Sequence, residues 1–274
     1  MNGKIQFVAF YTKTIYFPPF KRKINILMQQ VDGPCLLIAI FNALVLKGKI
    51  SVESGLYPTS SVIDIIQSVN PNLYMLQDLI NGYYVNPSFT SCNEFTDYPK
   101  FLDDLDIKMV HAIVPPKDLS NYSTISKYDY DTFQFKIVEL ESEDPNSSEL
   151  KSLLPWNSRL KKQLTSTGIE SIESLMKHGD VRIFFRKQHF ACIYKYFDDV
   201  YSLITCKGKG LSSCCWHSLP NENGEFKYYD ENFNLTIRKP WTEKSAAKSS
   251  KNRTHDKNNS TSNANAEQND CNIS

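Results

Sequence analysis

Gln29-Gln30-Val31-Asp32-Gly33-Pro34-Cys35 runs directly into Leu36-Leu37-Ile38-Ala39-Ile40-Phe41-Asn42-Ala43-Leu44-Val45-Leu46. A strand-like segment, Lys23 to Met28, precedes the stretch, and the Gly-Pro pair ends it in a turn. After Cys35 the chain is apolar on nearly every side of a helical projection, so the spacing predicts a buried central helix that opens at the cysteine. Such a placement has chemical use. A helix N-terminus carries about half a unit of positive charge, which favours a thiolate, and the thiolate is the nucleophilic form. The first N–H groups of the helix, that of Cys35 among them, lack intrahelical partners and are available to an oxyanion. Gly33 allows close backbone approach. Gln29, across the turn, carries a side-chain amide suited to be a second oxyanion donor. Local sequence alone also fits a structural cysteine buried at a helix start.

Outward from Cys35, a nucleophilic thiol needs a base. Five histidines are available. His255 lies near the C-terminus. His178 falls in the last turn of a predicted helix, where it complements the dipole. His111 sits in a strand-like run and reads as a satisfied, partly buried residue. His217 follows Trp216 near a sheet edge or loop. His189 lies in Phe184-Phe185-Arg186-Lys187-Gln188-His189-Phe190, a polar break between two apolar strand-like runs. A hairpin of this kind sets an imidazole on a rigid wall, although a surface histidine fits the same pattern. Cys206, Cys214, Cys215 and His217 lack the paired short spacings of a zinc site, so no metal is expected. Cys192 reads as packing.

The remaining chain predicts an α+β fold in a single mixed domain over residues 1–240, followed by a disordered Lys/Ser/Asn-rich tail over residues 241–274 with almost no core-forming side chains. Strands are expected at Ile5 to Tyr11, Val85 to Thr90, Ile107 to Val114, Val181 to Phe185, Ala191 to Tyr196 and Val200 to Thr205. Helices are expected through Val62 to Val69, Leu76 to Ile80 and Phe101 to Leu105. Another is expected from a Thr167/Glu170 capping box to Gly179. Glu139 to Glu149, acidic and interrupted by Pro145, reads as a surface loop. The net charge of +1 over 274 residues excludes nucleic acid and anionic membrane as default partners. Seven cysteines without an export signal predict reduced thiols in the cytosol or nucleus.

The cysteine segment resembles the catalytic-cysteine motif of the MINDY deubiquitinases: a Gln, a short polar stretch, Asn-Gly-Pro-Cys, then an apolar helix containing Asn. Asp32 stands in place of the usual Asn. Val181-Arg182-Ile183-Phe184-Phe185-Arg186-Lys187-Gln188-His189-Phe190 is similar to the family's catalytic-histidine strand. Val85-Asn86-Pro87-Ser88-Phe89-Thr90 and Trp216-His217-Ser218-Leu219 are further matches, in family order. The resemblance implies a distantly papain-like architecture and an isopeptidase that cleaves lysine-48-linked ubiquitin chains without metal or organic cofactor. It implies Cys35 as nucleophile, His189 as base and Gln29 in the oxyanion hole. It also implies that Val85, Tyr130 and Phe185 contact ubiquitin or shape the cleft, with Ile113 standing where the family has an aromatic contact, Trp. Ala191 stands where the family has Ser. A ubiquitin-binding module of the same fold, without turnover, is the alternative.

Overall fold

The helix that opens at Cys35 has no solvent-facing side: residues 36–46 are all buried. Asn42, the polar member, is satisfied by the strand beside it. Its Oδ1 accepts the Leu27 N–H at 2.8 Å and its Nδ2 donates to the Leu27 carbonyl at 3.0 Å. Helix and preceding strand are thereby joined by directional bonds as well as by apolar contact.

The structure is a computed structural model and describes residues 9–29, 33–206 and 213–236. Along the chain lie β1 (Ala9–Phe17), β2 (Arg22–Leu27), α1 (Cys35–Leu46), β3 (Leu56–Pro58), α2 (Thr59–Val69), β4 (Asn86–Pro87), β5 (Phe95–Asp97), α3 (Phe101–Asp104) and β6 (Lys108–His111). There follow α4 (Tyr122–Ile125), α5 (Tyr130–Glu143), α6 (Ser148–Leu160), α7 (Ser166–Leu175), β7 (Val181–Arg186), β8 (His189–Tyr196), β9 (Asp199–Leu203), β10 (Trp216–Ser218) and β11 (Tyr228–Tyr229). A 3-10 turn at Tyr74–Asn81 closes at Gly82. The mixture of helices and sheets is α+β, as expected. The expected tail, His255, Asp32 and the start of the first strand lie outside the described residues. No helix among the described residues is long and apolar enough to cross a membrane.

Six strands form one sheet in the order β11-β10-β9-β8-β7-β6, with β6 and β7 parallel and the other pairs antiparallel. Side-chain alternation divides its faces. Ile183, Phe185, Phe190, Cys192 and Tyr194 point to the cluster that holds α1, with β1 and β2 behind it. Phe184, Ile193 and Val200 point to the other side, against Ile172 of α7. There Gly168 lets α7 touch β6: a Cβ at that position would lie 2.3 Å from the Ala112 carbonyl oxygen. α5 and α6 form a third cluster with Phe89, Ile113 and Trp156.

Four local expectations are corrected. Glu139 to Glu149 is mostly helical, with only residues 144–147 between α5 and α6. Phe133, Ile137 and Leu140 supply the buried face of α5, and the alternate glutamates are its wet side. The α7 cap is Thr165, whose Oγ1 accepts the Gly168 N–H at 2.9 Å, rather than the Thr167/Glu170 pair. α7 ends at Leu175, so His178 is not in its last turn. Its Nδ1 instead accepts the Phe197 N–H at 2.8 Å. The expected strand at Val85 to Thr90 shortens to β4 because Pro87 offers no ladder donor.

Candidate active site

β2 delivers the chain to Gln29, whose N–H donates to the Thr205 carbonyl at 2.7 Å just past the end of β9. The chain then re-enters at Gly33 and Pro34 and begins α1 at Cys35. Pro34, at the N-cap, offers no side-chain cap. The first-turn amides are therefore left to other acceptors, and those of Cys35 and Leu36 lie beside the Cys35 thiol, favouring its thiolate. A third donor comes from the sheet. β9 pairs with β8 only from Ile193 to Tyr196, stopping short of Phe190. The Phe190 N–H lies within reach of the Cys35 sulfur instead and favours its thiolate.

The structure thus brings Cys35 next to the residue that follows His189. Phe190 faces α1, so alternation assigns His189 to the α7 side, in register with Arg186. Among the described residues no hydrogen bond joins the Cys35 thiol to the His189 ring. The two-residue turn between β7 and β8 has Lys187 and Gln188 both at positive φ, 48° and 62°. Each such non-glycine residue costs roughly 1 kcal/mol. The turn is held by Gln163, whose Oε1 accepts the Lys187 N–H at 2.6 Å, and by Arg186, whose Nε donates to the Lys162 carbonyl at 3.1 Å.

Burial dominates the electrostatics. It pushes the Cys35 thiol above its usual range, outweighing the three amides that favour the thiolate, and it pushes His189 below its usual range. Both groups are neutral at rest. His217 lies within electrostatic reach of His189 and Arg186. It is an interior residue of β10 rather than a loop residue, with Nδ1–H donating to the Ser218 carbonyl at 2.8 Å and its ring on Phe226. Burial holds it neutral down to about pH 4. His111 is also a core residue, set between the Glu94 carbonyl and the Ile113 N–H. The Gln29 side-chain amide donates to the Gly33 carbonyl at 3.3 Å and is engaged there in this arrangement. Among the described residues no group of three or more His, Cys, Asp or Glu side chains could hold a metal ion.

The expected substrate-facing residues divide. Val85, Ile113 and Phe185 are only 3%, 1% and 2% exposed. They can shape the walls of a cleft, but they offer no surface to a partner. Tyr130, at the start of α5, is partly exposed and packs against the cluster that holds Phe89 and Phe133. The sequence reading missed the Phe190 amide and Gln163. A backbone donor has no side-chain signature, and Gln163 acts from a distant connection.

The sequence model of the MINDY deubiquitinase family matches residues 8–70 and 59–233. The chain is 26% identical over 244 residues to "Ubiquitin carboxyl-terminal hydrolase MINDY-1" of Danio rerio, covering 78% of this chain and 47% of that protein. It is 27% identical over 239 residues to "Ubiquitin carboxyl-terminal hydrolase MINDY-2" of Mus musculus, covering 77% and 40%. Over 240 residues it is 25% identical to the Homo sapiens MINDY-1 protein, covering 77% and 51%. The chain spans about half the length of the curated relatives it matches.

Proposed function

The chain belongs to the MINDY deubiquitinase family, and from that premise we propose that it is a cysteine isopeptidase that hydrolyses ubiquitin chains. Cys35 is the nucleophile, His189 the general base and Gln29 an oxyanion donor. The observation that best supports this reading is the Cys35 thiol at the mouth of α1, within reach of the amide of the residue next to His189. The thiol gives its proton to His189 and attacks the carbonyl of ubiquitin's C-terminal glycine. The Cys35 N–H and the Gln29 amide stabilise the oxyanion. His189 then protonates the departing lysine amine. Water, losing a proton to His189, releases the thioester and restores the thiol. The His189 ring has to turn toward the thiol for this to happen, and the Gln29 amide has to leave Gly33. Free thiols, Cys35 among them, suit a reducing compartment, the cytosol or nucleus.

A preference for lysine-48-linked chains is the finer part of the proposal and rests on the motif matches around Val85, Tyr130 and Phe185. The unpaired resting positions of thiol and imidazole favour one rival, a ubiquitin-binding module without turnover. Incubation of wild type and Cys35→Ala with linkage-defined chains separates the readings. Cleavage by wild type alone is expected. Binding without cleavage establishes the rival, and equal cleavage of lysine-48-linked and lysine-63-linked chains removes the linkage preference.

A further inference from the structure

The buried positions of α5 are Phe133, Ile137 and Leu140. At 3.6 residues per turn the opposite face carries Asp131, Phe135, Val138 and Ser142. Phe135 and Val138 are 74% and 64% exposed. One exposed apolar side chain is ordinary. These two stand a turn apart on a face that makes no use of them in folding. Tyr84, 48% exposed, extends the stripe, its hydroxyl donating to the Asp131 carboxylate. The surroundings are acidic. α5 carries Asp131, Glu139, Glu141 and Glu143 against a single base, Lys136, which Glu139 holds at 2.9 Å.

We propose that this outward face of α5, with Phe135 and Val138 at its centre, docks ubiquitin through ubiquitin's apolar surface patch. The acidic rim calls for a partner whose apolar patch is ringed by basic side chains. An apolar centre with a carboxylate rim is its complement, and the same rim repels anionic membranes and nucleic acid. Apolar side chains one turn apart are the spacing by which a helix presents anchors. The proposal rests on the reading of the chain as a ubiquitin hydrolase. It supplies the anchor that Val85, Ile113 and Phe185, being buried, cannot. The face adjoins positions that the resemblance ties to ubiquitin: α5 begins at Tyr130, and the Asp131 N–H donates to Asn86 Oδ1 at 3.2 Å, tying α5 to the residue after Val85.

The test is the double variant Phe135→Ala/Val138→Ala in the full chain. Its melting temperature should match wild type, because neither side chain is in a core. KM for di-ubiquitin should rise roughly tenfold or more with kcat unchanged, as expected when interface anchors are truncated. In the Cys35→Ala background, resonance shifts on the apolar patch of labelled mono-ubiquitin should disappear with the double variant. Wild-type cleavage with an unchanged KM and unchanged shifts in the variant overturns the docking face alone. A wild type that neither binds nor cleaves ubiquitin overturns the functional reading beneath it. A dimer that the variant dissociates, with KM unaltered, reassigns the face to self-association and overturns the proposal.

Discussion

The backbone N–H of Phe190 lies within reach of the sulfur of Cys35 from the position next to His189, while among the described residues no hydrogen bond joins the His189 ring to that sulfur. Pre-formed thiolate–imidazolium pairs lower the thiol pKa far below its free value. Here burial wins and raises it. Alkylation of Cys35 by iodoacetamide should accordingly keep accelerating with pH above about 8.5, the free-thiol value, with no plateau near neutrality. His189→Ala should leave that profile in place. A plateau at acidic pH, lost in His189→Ala, would show a resting ion pair.

Gln29→Ala should lower kcat on ubiquitin chains by roughly 10²–10³ with little change in KM, the behaviour of a donor that acts on the transition state. His189→Ala should abolish turnover. Steady-state kinetics on a fluorescent di-ubiquitin reads both, and a change confined to KM for Gln29→Ala would make it a binding residue. The same loss from His111→Ala, with folding intact, would move the base elsewhere.

Acid should unfold this protein through two core imidazoles. Burial keeps His111 and His217 neutral down to about pH 4, whereas a histidine in an unfolded chain titrates near 6.5. Between those values the unfolded chain binds protons that the folded one refuses. Stability is complete above pH ~6.5 and falls as pH drops toward ~4, by roughly 3 kcal/mol per ring. Protonating His111 also costs it the acceptor that holds the Ile113 N–H at 3.1 Å. Urea midpoints at pH 7, 5.5 and 4.5 should decline in that order. A flat series would mean that the folded protein accommodates the charges.

Ile113→Trp should weaken the fold rather than strengthen ubiquitin binding. Ile113 is 1% exposed and packed in one cluster with Phe89, Phe133 and Trp156. Inserting an indole there overfills a closed cluster, at a cost of about 1–3 kcal/mol. Calorimetry should show a lower melting temperature. An unchanged melting temperature with a lower KM for lysine-48-linked chains would instead mean that the position opens to the partner.

Which parts of the molecule were legible follows from the range of the forces involved. α1 was readable because an unbroken apolar run has one stable environment, the centre. β7 and β8, with His189 at their junction, were readable from two apolar runs around a polar break. α5 was not, because Phe133, Ile137 and Leu140 are diluted by acidic residues and Pro145 suggests a loop. Those three side chains are buried by α6 together with Phe89, Ile113 and Ile125, which come from distant parts of the chain. The cap of α7 was misplaced by two residues because Thr165 and Thr167 offer the same hydroxyl, and the choice between them is made by the Ala112 and Val114 carbonyls, to which Thr165 Oγ1 also bonds. The relation of the thiol to the imidazole was beyond sequence altogether. It depends on where β9 stops pairing with β8.

Asn42 lies seven residues beyond Cys35, about 10 Å along the axis of α1. Contact between apolar surfaces is non-directional, so a helix greasy all round can slide or rotate in its socket at little cost. The two bonds from Asn42 to Leu27 act as a pin through the shaft. They fix both the depth and the azimuth of α1 against β2, and so set how far the sulfur of Cys35 projects into the cleft. In mechanical terms the aim of the nucleophile is adjusted about two turns down the rod, at a buried residue.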